Sequence, residues 1–140
     1  MHQITLERQS QWRFAFRTFL VGFAFFVMAM NFPDAMKANV FGLMAYDIPA
    51  ETWSAGFMGG PMLVMYGLHI NGRWFWSPML RAAGYMTQLC LFSLVGLSAL
   101  TADDGAHLVP WVALFFIPEI AFFLRISFVD MRGRFARGVH

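Results

Sequence analysis

The chain has 140 residues, of which 59% are hydrophobic and only 13% charged, where a soluble domain carries about 25% charged residues. With 17 Phe, 11 Met and 5 Trp there is more apolar side chain than one water-soluble core of this length accommodates, so the class indicated is a bilayer-embedded one. The formal charge of +2 gives no ground for a nucleic-acid partner, and the single cysteine, Cys90, excludes an intrachain disulfide.

In chain order, four apolar segments approach the length of about 20 residues needed to cross a hydrocarbon core. The first, about 14–31, is "FAFRTFLVGFAFFVMAMN". It is too long for the apolar part of a secretory signal, and Met30, Asn31 and Phe32 fit a cleavage site poorly, so it reads as a retained span. Residues 32–51 form an outer loop in which "MKANVFGLMAY" is apolar enough for an interfacial helix. "DIPAE" then reads as a helix start, with Asp47 as cap, Pro49 in the first turn and Glu51 near the positive end of the helix dipole. The second span, about 52–70, contains Gly59, Gly60 and Pro61, which predict a kink.

The stretch "HINGRWFWSPML" joins spans two and three. Asn71-Gly72 marks a turn, and Ser77-Pro78 restarts a helix with Ser as N-cap. Trp74 and Trp76 suit a membrane interface, where the ring stays apolar and the indole N–H reaches water. The third span, about 80–100, is followed by the acidic turn "TADDGAH", the fourth span, about 108–127, and a basic tail, 128–140. No segment keeps the two-residue alternation of a membrane β-barrel. The fold class predicted is therefore an all-α integral membrane protein, a single domain of four transmembrane helices in a bundle.

Charge sets the expected orientation. With the N-terminus inside, Arg8, Arg13, Arg17, Arg73, Arg81, Arg125, Arg132, Arg134 and Arg137 fall on the inner side and only Lys37 outside. The positive-inside rule then puts both termini in the cytoplasm.

Three polar residues lie at comparable depth within the predicted spans: Arg17, Gln88 and Glu119. A charge at membrane depth is costly enough to require a partner. An Arg17–Glu119 pair with Gln88 as a third hydrogen-bonding group meets that need, as a register device between helices or as a proton or ion site. Small residues, Gly56, Gly59 and Gly60 in span two and Gly96 in span three, suit close helix packing. Arg132, Arg134 and Arg137 form a juxtamembrane basic cluster that suits anionic lipid. His69 and His107 fall on opposite faces, and no metal-ligand spacing, phosphate loop or nucleophile motif is present, so neither cofactor, metal site nor catalytic residue is expected.

The segment "ETWSAGFMGGPMLVMYGLHINGRWFWSPMLRAAG", Glu51 to Gly84, resembles a pattern in small uncharacterised, holin-like membrane proteins of tailed bacteriophages and prophages. The shared features are an acidic-aromatic helix start, a Gly-containing span, the turn "INGRW", then "SP" and "LR". The resemblance covers about a quarter of the chain and implies a bacterial inner-membrane location, a phage-related origin and no catalytic residues.

These readings converge on a non-enzymatic multi-pass membrane protein that acts by assembly in the bilayer, as a homo-oligomer or within a larger complex, a holin-like lysis factor being one form. Two alternatives stay open. One is an accessory subunit of a respiratory or photosynthetic membrane complex, the other a small proton-coupled carrier centred on Glu119.

Overall fold

Between His2 and Asn31 the sequence has one glycine and no proline, and it forms one uninterrupted helix, α1 (His2–Asn31). The computed structural model describes residues 2–31, 50–70, 74–101 and 108–136, with the side chains of most of them. Three more helices follow: α2 (Ala50–His69), α3 (Ser77–Thr101) and α4 (Leu108–Ala136). Among the described residues the chain is all-helical, without a strand. The interfacial-helix segment with Asp47 and Pro49, the Asn71-Gly72 turn with Arg73, the acidic turn and Arg137 lie outside the described residues.

The helices outrun the apolar segments. α1 begins well before Phe14, because "HQITLERQSQWR" contains nothing that breaks a helix. α4 runs past Ser127 through Gly133, so most of the segment read as a basic tail is helical. α2 passes through Pro61 and α4 through Pro118 without interruption. One helix among the described residues, over Ser77–Leu97 with mean hydropathy 1.2, is long and apolar enough to cross a membrane. In α1 the polar first turns and Arg13 and Arg17 dilute the apolar run, and in α4 Glu119 and Arg125 do the same.

Each helix packs antiparallel on the next. Backbones lie close from α1 to α2, α2 to α3 and α3 to α4. Arg8 near the start of α1 reaches the Leu68 carbonyl at the end of α2, and Arg81 near the start of α3 reaches Asp130 near the end of α4. Between α1 and α4 the seam is wider and long side chains bridge it.

Glycines set the tight contacts. A Cβ on Gly84 of α3 would lie 2.6 Å from the Gly60 carbonyl oxygen of α2, and one on Gly67 would lie 3.0 Å from the Ser77 carbonyl oxygen. A Cβ on Gly22 of α1 would lie 2.7 Å from the Phe57 carbonyl oxygen. That carbonyl is the one whose helical donor Pro61 removes, since proline has no N–H to offer four residues back. The kink residue and the glycine contact therefore act at one place.

A chain of aromatic rings runs through the core. Phe57 meets Phe25 at 5.5 Å and Phe92 at 5.3 Å, Phe92 meets Phe116 at 5.1 Å, and Phe116 meets Phe14 at 6.0 Å. Phe14 continues to Phe123 at 5.3 Å, which lies against Tyr85. Centroid separations of 4.5–7 Å with tilted planes are the favourable arrangement for such rings. The chain of rings touches all four helices.

The outer surface is apolar as well, and some polar groups are enclosed. Phe16, Leu20, Phe23, Met62, Leu97, Phe115 and Phe122 are exposed, while Gln11, Thr18, Ser54, Arg81, Gln88 and Ser127 are buried. Three hydroxyls are satisfied on their own helices: Thr18 donates to the Phe14 carbonyl, Thr87 to Ala83 and Ser127 to Phe123.

Candidate functional site: a surface ion pair and a buried arginine

Arg17 lies halfway along α1 and Glu119 immediately after Pro118 in α4. Arg17 Nη2 donates to Glu119 Oε1 at 3.1 Å across the wide seam. The guanidinium also lies over the Phe14 ring, 5.9 Å from its centroid. The two side chains are 60% and 39% exposed, so the pair is on the outside of the bundle. The contact uses one nitrogen and one oxygen, which leaves the rest of the guanidinium and the second carboxylate oxygen facing outward.

Gln88 does not join them. It is fully buried on α3, and neither its amide oxygen nor its amide nitrogen has a partner among the described residues. The reason is rotational: equal depth along two helices does not put two side chains on the same face. Gln88 points to the interior beside Gly60, where its Cγ would lie 2.9 Å from a Cβ on that glycine, whereas Arg17 and Glu119 point outward.

The second polar cluster centres on Arg81, which is 2% exposed. Its Nη1 donates to Gln11 Oε1 at 3.1 Å and its Nη2 to Asp130 Oδ2 at 2.7 Å, while its stem packs against Gly67. One side chain thus touches all four helices, its planar fork of donors reaching α1 and α4 and its stem α2. Around it Arg8 Nη2 donates to the Leu68 carbonyl at 2.7 Å and Ser77 Oγ to the Gly67 carbonyl at 2.6 Å. Both close the C-terminal turn of α2. Ser77, expected as a cap, stands at the first position of its helix and ties that helix to α2.

The sequence reading placed Arg81 among the inner-side charges and missed its burial. The signal was present in the spacing Arg81, Tyr85, Gln88, which repeats at four and three residues and marks one face of a helix. Tyr85 and Gln88 are fully buried on that face, with the Tyr85 hydroxyl and Arg81 Nε also unpartnered among the described residues.

Of the remaining predicted positions, Trp74 and Trp76 are exposed just before α3. Gly60 is a true contact glycine, Gly56 lies 3.2 Å (at its would-be Cβ) from a methyl of Leu91, and Gly96 is buried. Gly59 has nothing within 4 Å of that position, so its smallness serves no helix contact among the described residues. Arg132 is exposed and, with Arg125, Phe128 and Val129, lines a shallow depression along α4. The Arg134 side chain lies outside the described ones. Cys90 is exposed on α3. Among the described residues no group of His, Cys, Asp and Glu is placed to hold a metal ion. No family model, curated protein or solved structure matches the chain.

Proposed function

We propose that this chain is a four-span inner-membrane protein with both termini in the cytoplasm, acting without catalysis by assembling in the bilayer. The observation that carries the reading is an apolar outer surface around a core that encloses polar groups. Large apolar residues such as Phe115, at 82% exposure, cover the outside, and Arg81, Gln88 and Gln11 are enclosed. In water this arrangement exposes hydrocarbon along every helix; in lipid it is the stable one, because intramembrane polar groups face the bundle interior.

Two further features support it. Antiparallel packing collects Arg8, Arg13, Arg81, Arg125 and Arg132 at one end of the bundle, as the positive-inside rule requires of the cytoplasmic side. Close glycine contacts and interhelical hydrogen bonds, such as Ser77 Oγ to the Gly67 carbonyl and Arg81 to Gln11, supply the packing that replaces the hydrophobic driving force absent in lipid. Within this reading a holin-like lysis factor is the form that the Glu51–Gly84 resemblance favours. The test is induction of the gene alone with membrane potential followed by a voltage-sensitive dye. Abrupt depolarisation after a delay supports the holin-like form. An inserted protein that leaves the potential intact removes it, and a protein recovered in the soluble fraction removes the membrane reading itself.

A further inference from the structure

We infer that the α1/α4 seam is the interface of a symmetric dimer of this chain, with the Arg17–Glu119 pair at its centre. The inference rests on the membrane reading above and specifies the assembly it calls for.

The first step is depth. Phe14 packs against Tyr85, so Arg17, one turn further along α1, stands level with Gln88, in the middle of the apolar window Ser77–Leu97. Half of that window spans about 16 Å at 1.5 Å per residue. The pair is therefore far from headgroups at either end. A carboxylate and a guanidinium 39% and 60% exposed at that level face hydrocarbon in an isolated copy, and exposed charge at membrane depth is strongly unfavourable. Something polar covers them.

The second step is the identity of the cover. Arg17 stands on one side of the seam and Glu119 on the other. A twofold axis along the membrane normal keeps every residue at its own depth and sets the left side of one copy against the right side of the other. Arg17 of each copy then faces Glu119 of its partner. The guanidinium nitrogens and the second carboxylate oxygen that the intrachain pair does not use then find opposite charges at the same height. Leu20, one turn from Arg17, and Phe115 and Phe122, one turn to either side of Glu119, are exposed and give the dry surround of such a contact. A patch that contains both signs side by side is complementary to itself.

The test uses charge reversal in the full chain, reconstituted in phosphatidylethanolamine/phosphatidylglycerol vesicles, with donor or acceptor fluorophore proteins fused after His140. Resistance to alkaline carbonate extraction measures insertion separately. The native chain is expected to show energy transfer that dilution in lipid does not abolish. Arg17→Glu alone and Glu119→Arg alone are each expected to lose it, since each presents like charges to itself. Mixing the two variants is expected to restore transfer, because each then offers the charge the other needs. If the reversals destabilise the fold, Arg17→Leu with Glu119→Leu removes both charges, and it is expected to insert and stay monomeric. The inference is overturned by native transfer that survives either reversal, by inserted reversal variants that fail to recover on mixing, or by an inserted native chain without transfer. A native chain that carbonate extracts overturns the membrane reading, and the interface with it.

Discussion

Gly60 and Gly84 meet backbone to backbone: a Cβ on either would approach the carbonyl oxygen of the other, at 3.1 Å and 2.6 Å respectively. α2 and α3 are joined at this point by the absence of side chains. Gly84→Ala is expected to force the helices apart and to lower stability by about 1–3 kcal/mol, the usual cost of overpacking. Gly59→Ala is the internal control, because nothing lies within 4 Å of its would-be Cβ. It is expected to be neutral or to stabilise by up to about 1 kcal/mol through helix propensity. Reversible unfolding of both variants in mixed micelles checks the contrast, and equal losses at the two positions would count against the contact.

Arg81 gives a second contrast. Arg81→Leu leaves a buried Gln11 oxygen without its donor and removes the group that touches every helix. A loss of about 3–5 kcal/mol is expected, as when one partner of a buried polar pair is deleted. Arg81→Lys is expected to rescue little, since a single ammonium cannot serve Gln11 and Asp130 with the same fork geometry. Asp130→Asn, at a half-exposed position, is expected to cost about 1 kcal/mol or less. The order of the three midpoints in denaturant unfolding is the measurement.

Gln88 and Tyr85 are expected to behave in the opposite way. Each buries a polar group with no partner among the described residues, a condition that costs about 1–3 kcal/mol per group. Gln88→Leu and Tyr85→Phe remove the polar group and keep most of the volume, so both are expected to raise the unfolding midpoint. A clear drop for either would mean that the group is hydrogen-bonded in the bilayer.

Orientation is testable without purification. A fluorescent protein that matures only in the cytoplasm is expected to fluoresce when fused after His140, and alkaline phosphatase inserted beside Asp104 to be active. Emission from Trp74 and Trp76, both exposed at the basic end, is expected to be quenched more by headgroup-labelled than by chain-end-labelled lipid. Reversal at either reporter contradicts the four-span topology, and stronger chain-end quenching contradicts the interfacial position of the tryptophans.

The all-helical character was legible in the sequence because it depends on local facts: apolar runs of sufficient length, glycines and prolines at few places, and Ser-Pro at the start of α3. The partnership of Arg17 with Glu119 was legible in part, since depth can be read from position along a span. Its outward orientation was not, because rotation about a helix axis is set by neighbouring helices and the outer apolar faces give little contrast against the core. Gln88 shows the limit most clearly: the same depth argument that paired Arg17 with Glu119 enrolled a residue that faces the other way. Arg81 was hidden for a related reason. Near the end of an apolar run an arginine reads as an anchor to headgroups, and only the packing of α1 and α4 around it encloses it.

Phe14 is fully buried, yet three of its ring neighbours, Tyr85, Phe116 and Phe123, belong to the second half of the chain. During synthesis α1 therefore leaves the ribosome long before the surfaces that enclose its central ring exist. Its early neighbour is α2, held by the Gly22–Phe57 contact on a different part of the helix. A polypeptide arrested before α4 lacks two of those three rings, Phe116 and Phe123, and leaves Arg17 without its carboxylate. Closure of the core around the first helix thus waits on the last helix to be made.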